Sequence, residues 1–331
     1  MEVRKKCLVT GGNGHLGNNL VKELVAQGYE VKASVRNTKN RSPFTNVDCE
    51  VVYADMTDKA SLLKVMDGVD VVFHTAAVFK HWAIDAEKEI HEPNRTGTRN
   101  ILEAAAECKV KKVIYVSSIA ALDHDSVPMN EKAWSKEFPN AYYESKQKSE
   151  QLAWKLAKEL DIDLITVLPS SMLGADIYGQ LTPTMTLMNN IITNQLPFDP
   201  VFGINFVSVK DVAKGMVMAE QNGRSGNRYI LATELSITTS ELLQIAKEVF
   251  PETEIPAPVP KPQLLAIAQK MEDESEVTGQ APFLFVDNVN HYYNADARVD
   301  ISKAYNELGY RPMKIKEVII DAFRYLKELQ D

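Results

Sequence analysis

A tyrosine and a lysine four residues apart, Tyr142 and Lys146, are the pair in this 331-residue chain whose types and spacing point most directly to chemistry. They stand in Ala141-Tyr142-Tyr143-Glu144-Ser145-Lys146, ahead of Leu152, Leu156 and Leu160 at helical spacing. Residues i and i+4 of a helix share a face, so the two side chains are neighbours. A phenol with a pKa of about 10 is a weak base at neutral pH. An adjacent ammonium favours the phenolate, and a tyrosine tuned in this way exchanges a proton with a substrate oxygen. Upstream, Tyr115-Val116-Ser117-Ser118 closes an apolar run. A serine at a strand end can hydrogen-bond the same oxygen as it gains negative charge. Side chains alternate along a strand, so only one of Ser117 and Ser118 faces the substrate. Tyr143 neighbours Tyr142, but only Tyr142 lies four residues before Lys146.

Such a proton relay acts with a hydride donor, and the amino-terminal stretch carries a signature for one. It reads Cys7-Leu8-Val9-Thr10-Gly11-Gly12-Asn13-Gly14-His15-Leu16-Gly17. A short apolar run breaks into glycines, and Leu16, Leu20, Val21, Leu24 and Val25 then recur at helical spacing. Strand, glycine turn and helix form a dinucleotide-binding loop. Gly11 permits the tight turn, Gly14 lets backbone approach a pyrophosphate, and Gly17 lets the helix lie close to the sheet. Amides at the helix start then face the phosphates. The residue ending the second strand discriminates between cofactors. An acidic side chain there binds the ribose hydroxyls of NAD, and an arginine accommodates the 2′-phosphate of NADP. The sequence Val31-Lys32-Ala33-Ser34-Val35-Arg36 ends in an arginine, whose guanidinium pairs bidentately with phosphate. Lys39 and Arg41 follow and add charge. The expected cofactor is NADP(H).

Alternating strands and helices must bring these pieces together. Further strands are predicted at Glu30–Val35, Cys49–Tyr53, Asp70–His74, Lys112–Ser117 and Ile162–Leu168. Helices are predicted near Ser61–Met66, Asn94–Cys108 and Tyr142–Leu160. Apolar strands separated by amphipathic helices make a parallel sheet covered on both faces. The expected class is α/β, a Rossmann-type doubly wound parallel sheet with a smaller carboxyl-terminal substrate-binding lobe. Residues 1–169 form the dinucleotide-binding domain with the Ser/Tyr/Lys set. Residues 170–331 form mainly the lobe, with some segments returning to the sheet. Beyond Pro169, prolines punctuate short strands at Phe206–Val209 and Tyr229–Leu231. Helices are expected there at Asp211–Gln221, Thr239–Phe250, Pro262–Met271 and Lys316–Leu329.

Composition bounds the partners. Lys and Arg number 37 against 45 Asp and Glu, a net charge of −8, which disfavours nonspecific nucleic-acid binding. No apolar stretch is long enough to cross a bilayer. The stretch Met1-Glu-Val-Arg-Lys-Lys6 runs into the first strand without an apolar leader. Cys7, Cys49 and Cys108 are widely spaced, which argues against a disulfide framework or zinc site. No metal site, no membrane and no nucleic acid are expected, and the localisation expected is cytoplasmic.

Taken together, these motifs resemble the extended branch of the short-chain dehydrogenases/reductases, also called the NAD-dependent epimerase/dehydratase family, and most closely its dihydroflavonol reductase-like members. The resemblance spans nearly the whole chain. It implies that Thr10 to Gly17 hold the nucleotide and that Asp55, followed by Met56, contacts adenine. It implies that His74-Thr75-Ala76-Ala77 lie beneath the cofactor and that Pro169 and Ser171 lie against the nicotinamide. It selects Ser118, Tyr142 and Lys146 as the catalytic set, supported by Asn94. Phe206 to Ala213 resembles a segment of the second lobe, and Asp300 to Lys303 with Leu308 to Pro312 resembles the carboxyl-terminal signature.

Substrate contacts are expected from Phe79, Trp82, Asp123, Met172 and Tyr178. Asp123 stands where flavonoid reductases of the family read ring hydroxyls. His81, His124, Leu173, Met185, Met188, Phe202, Phe206, Phe283 and Phe285 are further candidates. The expected function is NADPH-dependent reduction of a ketone or aldehyde partner, small, mostly apolar and compatible with an aromatic ring. A hydroxysteroid dehydrogenase is a variant of that class. A nucleotide-sugar epimerase or dehydratase is disfavoured by Arg36 and by Ile119-Ala120-Ala121, where dehydratases carry an acidic pair. A non-catalytic NADP(H) sensor is disfavoured because Tyr142 and Lys146 are both present. The chain is expected to be a monomer or homodimer.

Overall fold

The first apolar run is entirely buried: Cys7, Leu8 and Val9 expose no surface. A buried strand satisfies its backbone only by pairing on both edges. Lys6–Thr10 (β1) accordingly pairs in parallel with both Glu30–Val35 (β2) and Val71–His74 (β4), with Glu50–Tyr53 (β3) beyond β2. The computed structural model describes residues 4–330, so Met1–Val3 of the amino-terminal stretch and Asp331 lie outside the described residues. Lys112–Val116 (β5) and Asp163–Pro169 (β6) extend the sheet past β4. Short strands follow at Ser171–Leu173 (β7), Gly203–Ile204 (β8) and Phe206–Ser208 (β9), then Arg228–Leu231 (β10) and Ile237–Thr238 (β11).

Among the described residues, seven strands form one parallel sheet in the order β10-β6-β5-β4-β1-β2-β3. The chain winds outward from β1 to β3, then crosses back to β4. The crevice therefore opens at the carboxyl ends of β1 and β4, where doubly wound sheets bind ligands. Strand alternation sorts the core into two layers. Cys7, Val9, Val71, Phe73 and Ile114 face one side, while Leu8, Val72, Val113 and Tyr115 face the other. His15–Ala26 (α1) covers the first side with Leu20, Val21 and Leu24. Past Lys59–Met66 (α2), Glu92–Glu107 (α3) and Ala141–Glu159 (α4) cover the second side with Ile101, Leu102, Ala105, Ala153 and Leu156.

The second half contributes to both regions. Pro183–Ile192 (α5) is followed by Val209–Asn222 (α6), which packs on α1, and β10 pairs with β6. Thr239–Val249 (α7), Lys261–Thr278 (α8), Val286–Tyr292 (α9) and Ile315–Glu328 (α10) complete the chain. A separate core of Met185, Met188, Leu242, Ile319 and Phe323 joins α5, α7 and α10. Leu264, Ala268, Leu284 and Val289 join α8 to α9. Two helices were not anticipated from periodicity. α5 carries a local start signal, Thr182 accepting from the Met185 amide ahead of Pro183 at the first turn, whereas α9 is only seven residues long. α8 runs past the anticipated Met271 through a polar stretch and stops at Gly279 in a left-handed conformation.

Candidate active site

The glycine loop is built so that backbone replaces side chains. Gly11 has φ +67°, and a Cβ there would lie 3.1 Å from the Ala76 Cα. A Cβ on Gly17 would lie 2.1 Å from the Gly11 carbonyl oxygen. The Gly14 amide donates to that same oxygen at 2.9 Å, closing the turn that starts α1. These positions open onto one cavity of about 1070 Å³. Its walls include Gly11, Asn13, Gly14, His15, Leu16 and Gly17 at one end, with Arg36, Asp55 and Met56 beside them. Thr75, Ala76 and Ala77 form its floor, and Ser118, Tyr142, Lys146, Pro169 and Ser171 lie at the other end.

Three residues of the nucleotide signature are behind this wall. Gly12 packs on Ala33, where a Cβ would sit 3.0 Å from that alanine's Cβ. Thr10 and His74 bond to each other, Oγ1 to Nδ1, at 2.8 Å across β1 and β4. Thr10, Gly12 and His74 thus shape the cradle without lining it. Burial and the nearby Lys146 charge lower the His74 pKa to about 3, so its imidazole is neutral.

The residues fit a nicotinamide dinucleotide. A narrow backbone cradle meets a helix start, as a pyrophosphate requires. Arg36 is exposed at the cavity edge and has no carboxylate partner within ion-pair distance among the described residues. Burial pushes the Asp55 carboxyl up, but hydrogen bonds from the Thr57 amide and hydroxyl, with the Arg36 charge, hold it below its ordinary value. Lys39 and Arg41 do not line the cavity: the chain turns away from it after Arg36, and Arg41 begins the 42–44 helical turn.

At the other end, Asn140 caps α4 by accepting from the Tyr142 and Tyr143 amides at 3.0 and 3.3 Å. Burial pushes the Tyr142 phenol up to about 12, against the influence of the Ser118 hydroxyl, which pulls it down. Burial brings Lys146 down to about 8, with the Glu150 carboxylate opposing. The Lys146 ammonium donates to the Val116 carbonyl oxygen at 3.0 Å. Ser118 and Ser117 part as alternation requires. Both residues border the cavity, but the Ser118 hydroxyl accepts from the Ala120 amide at 3.1 Å, while the buried Ser117 hydroxyl points back to donate to Glu150. Asn94 lies off the cavity. It clamps the Val78 peptide, accepting from its amide at 2.7 Å and donating to its carbonyl at 3.1 Å, and it donates to Ser145 at 3.0 Å. Its bonds anchor the 78–81 segment at Val78 to α3 and α4.

The substrate end differs from expectation. Phe79 and Met172 line the cavity, and the Phe79 ring meets Tyr142 edge-on with centroids 4.8 Å apart. Trp82 does not line it, because His81 takes the place against Tyr142, stacked with centroids 5.1 Å apart and planes 9° apart. Asp123 is turned into its own loop, accepting from the Asp125 amide and the Ser126 hydroxyl, and the neighbouring His124 reaches the cavity instead. Tyr178 sits on the outer surface with its hydroxyl on Lys22 and Asp176. Met185, Met188 and Phe206 are lobe core, Phe202 packs beside α9, and Phe283 is exposed, so none of them lines the cavity.

The far wall instead comes from Tyr143, His291 and Tyr292, with Thr182–Thr184, Gly203–Asn205 and Ala295–Ala297. His124 and His291 meet edge-on, and the Tyr143 and Tyr292 hydroxyls bond each other, tying α4 to α9. Burial lowers His81 and His291 to about 4 and also lowers His124, so this wall carries neutral imidazoles at neutral pH. His81 and His124 are candidates the sequence already offers, whereas His291 is not, because a lone histidine carries no spacing signal.

Comparison with known proteins agrees with this geometry. A model of the NAD dependent epimerase/dehydratase family matches residues 7–232. A putative dihydroflavonol 4-reductase from Synechocystis sp. is 32% identical over 331 residues, covering 96% of this chain and 94% of that protein. Cinnamoyl-CoA reductase CAD2 from Medicago truncatula is 30% identical over 271 residues, covering 75% of this chain and 82% of that one. The crystal structure of gox2253 superposes with a TM-score of 0.85 at 29% identity, covering 98% of this chain and 99% of that one. The chain therefore belongs to the NAD dependent epimerase/dehydratase family, in the dihydroflavonol reductase-like branch of the extended short-chain dehydrogenases/reductases, oxidoreductases that bind a nicotinamide dinucleotide.

Proposed function

We propose that the protein is an NADPH-dependent reductase of a small ketone or aldehyde. One observation carries the reading: Ser118, Tyr142 and Lys146 share a cavity with the glycine loop and Arg36. When bound, NADPH supplies a hydride to the carbonyl carbon. The Tyr142 phenol donates its proton to the carbonyl oxygen, and the Ser118 hydroxyl hydrogen-bonds that oxygen as it becomes an alkoxide. The Lys146 ammonium stabilises the phenolate left on Tyr142, which solvent reprotonates. The carbonyl thus gains one hydride and one proton and leaves as an alcohol. Gly11, Gly14 and Gly17 would hold the pyrophosphate, and Arg36 would pair with the 2′-phosphate. The names of the Synechocystis and Medicago relatives, both reductases, support the same class.

The substrate is apolar and admits an aromatic ring. Phe79, Met172 and the neutral imidazoles of His81, His124 and His291 offer stacking surface and no fixed charge. NADPH oxidation against aromatic aldehydes, diketones, flavanonols and ketosteroids tests the reading. Turnover of at least one of these is expected, lost in Tyr142→Phe with NADPH binding retained. Inertness toward every carbonyl, with turnover of a nucleotide sugar, would reject it.

A further inference from the structure

Behind Ser118 the protein buries a carboxylate. Glu150 lies one helical turn after Lys146 on α4 and exposes none of its surface. Its oxygens accept from Arg228 Nε at 2.8 Å and Nη2 at 3.0 Å, Ser117 Oγ at 2.5 Å, Thr166 Oγ1 at 2.8 Å and Trp154 Nε1 at 3.2 Å. The Arg228 guanidinium lies 3.8 Å from the centre of the Trp134 ring and donates to the Glu131 carbonyl at 2.9 Å. This single carboxylate ties α4 to β5, β6 and β10. A buried ion pair is costly to desolvate, and well-packed apolar residues often match it in stability, so stability alone does not account for it.

Its position suggests what it does. Lys146 holds the Val116 carbonyl, and one turn on, Glu150 holds the Ser117 hydroxyl. Two successive residues of the β5 end are thus gripped by two successive turns of α4, immediately before Ser118. We propose that Glu150, locked by Arg228, is a positioning residue that sets the register of α4 against the end of β5 and so the placement of Ser118 relative to Tyr142. The inference rests on the reductase reading above.

Glu150 also acts on Lys146 by charge, favouring the ammonium. The other titratable groups facing this pair are His74 at the end of β4, which feels the Lys146 charge, and Tyr115 on β5 and Arg228 on β10, which face Glu150. Among these, Glu150 is the sole carboxylate.

The test compares Ser117→Ala, Ser117→Thr, Glu150→Gln and Tyr142→Phe in the full-length enzyme. The measurements are kcat, KM, the pH profile of kcat, NADPH affinity and circular dichroism. Ser117→Ala leaves Glu150 paired with Arg228 and should lower kcat about 10-fold, with KM and NADPH affinity within about twofold, because small misplacements of reacting groups cost rate. Ser117→Thr should recover most of that loss. Glu150→Gln should lower kcat about 100-fold and move the alkaline limb of its pH profile to lower pH. Should Glu150→Gln not fold, the double variant Glu150→Leu/Arg228→Met removes the pair without leaving a lone buried charge, and the same result is expected. Unchanged kcat and pH profile in Ser117→Ala and in the folded Glu150 variant, with Tyr142→Phe inactive, would overturn the positioning role alone. An active Tyr142→Phe would overturn the reductase reading and this inference with it.

Discussion

The Lys146 ammonium, one helical turn after Tyr142 on α4, donates to the Val116 carbonyl oxygen at 3.0 Å. Because burial brings Lys146 down to about 8, the ammonium persists below that pH and is lost as pH rises through it. A step that needs the ammonium should therefore be flat near neutral pH and fall above about pH 8. The kcat/KM profile of the free enzyme checks this, and Lys146→Met should lose at least about 100-fold in kcat, in line with general acid–base contributions.

His74 makes stability depend on acid. Its pKa drops from the ordinary 6.5 to about 3 on burial. The unfolded imidazole takes up a proton below 6.5, whereas the folded one does not until about 3. The stabilisation is complete above 6.5 and is lost progressively as pH falls toward 3, at about 1.4 kcal/mol per pH unit for one proton. His74→Asn keeps a partner for Thr10 and removes this titration. Its urea midpoint should fall less than that of the parent protein between about pH 6.5 and about pH 4.5. His81 and His291, lowered to about 4, leave a residual slope.

Gly17→Ala should disable the cofactor cradle. The added methyl would sit 2.1 Å from the Gly11 carbonyl oxygen, and backbone on both sides cannot yield without opening the loop. NADPH affinity should fall at least about 10-fold, with a stability loss of about 1–3 kcal/mol from overpacking. Titration by cofactor fluorescence and thermal melting report the two effects separately.

Arg36→Ala should narrow the difference between NADPH and NADH. The guanidinium is exposed at the cavity edge and pairs with no carboxylate among the described residues, so its removal costs little stability. A charge-assisted phosphate contact is worth about 1.5–3 kcal/mol, so NADPH affinity should fall roughly 10- to 100-fold with NADH affinity unchanged. Equal affinity for the two coenzymes in the parent protein would refute the assignment.

Tyr143→Phe should separate the two adjacent tyrosines. Tyr143 bonds Tyr292 of α9, so its loss loosens the far wall and leaves Ser118, Tyr142 and Lys146 in place. KM should rise several-fold while kcat stays within about threefold, in contrast to Tyr142→Phe. An inactive Tyr143→Phe enzyme would reverse the assignment.

Local rules made much of this protein readable. Gly11 and Gly14 lie between an apolar strand and an amphipathic helix whose first turn holds Gly17, and the spacing of Tyr142 and Lys146 puts both on one helical face. Apolar runs that alternate with amphipathic helices leave few options beyond a covered parallel sheet, the architecture observed. These features depend on contacts within a few residues, so chain order encodes them. The tertiary fold decided what meets across long separations. His81, His124 and His291 are far apart in the chain and come together only around Tyr142 and Tyr143. Trp82, Asp123 and Tyr178 looked suited to the substrate end, yet loop geometry turned them away. Glu150 and Arg228 are 78 positions apart and pair only because β10 adds to the sheet beside β6. Strand order and loop path, set by burial of the whole core, determine such encounters, and no local pattern of residue types contains them.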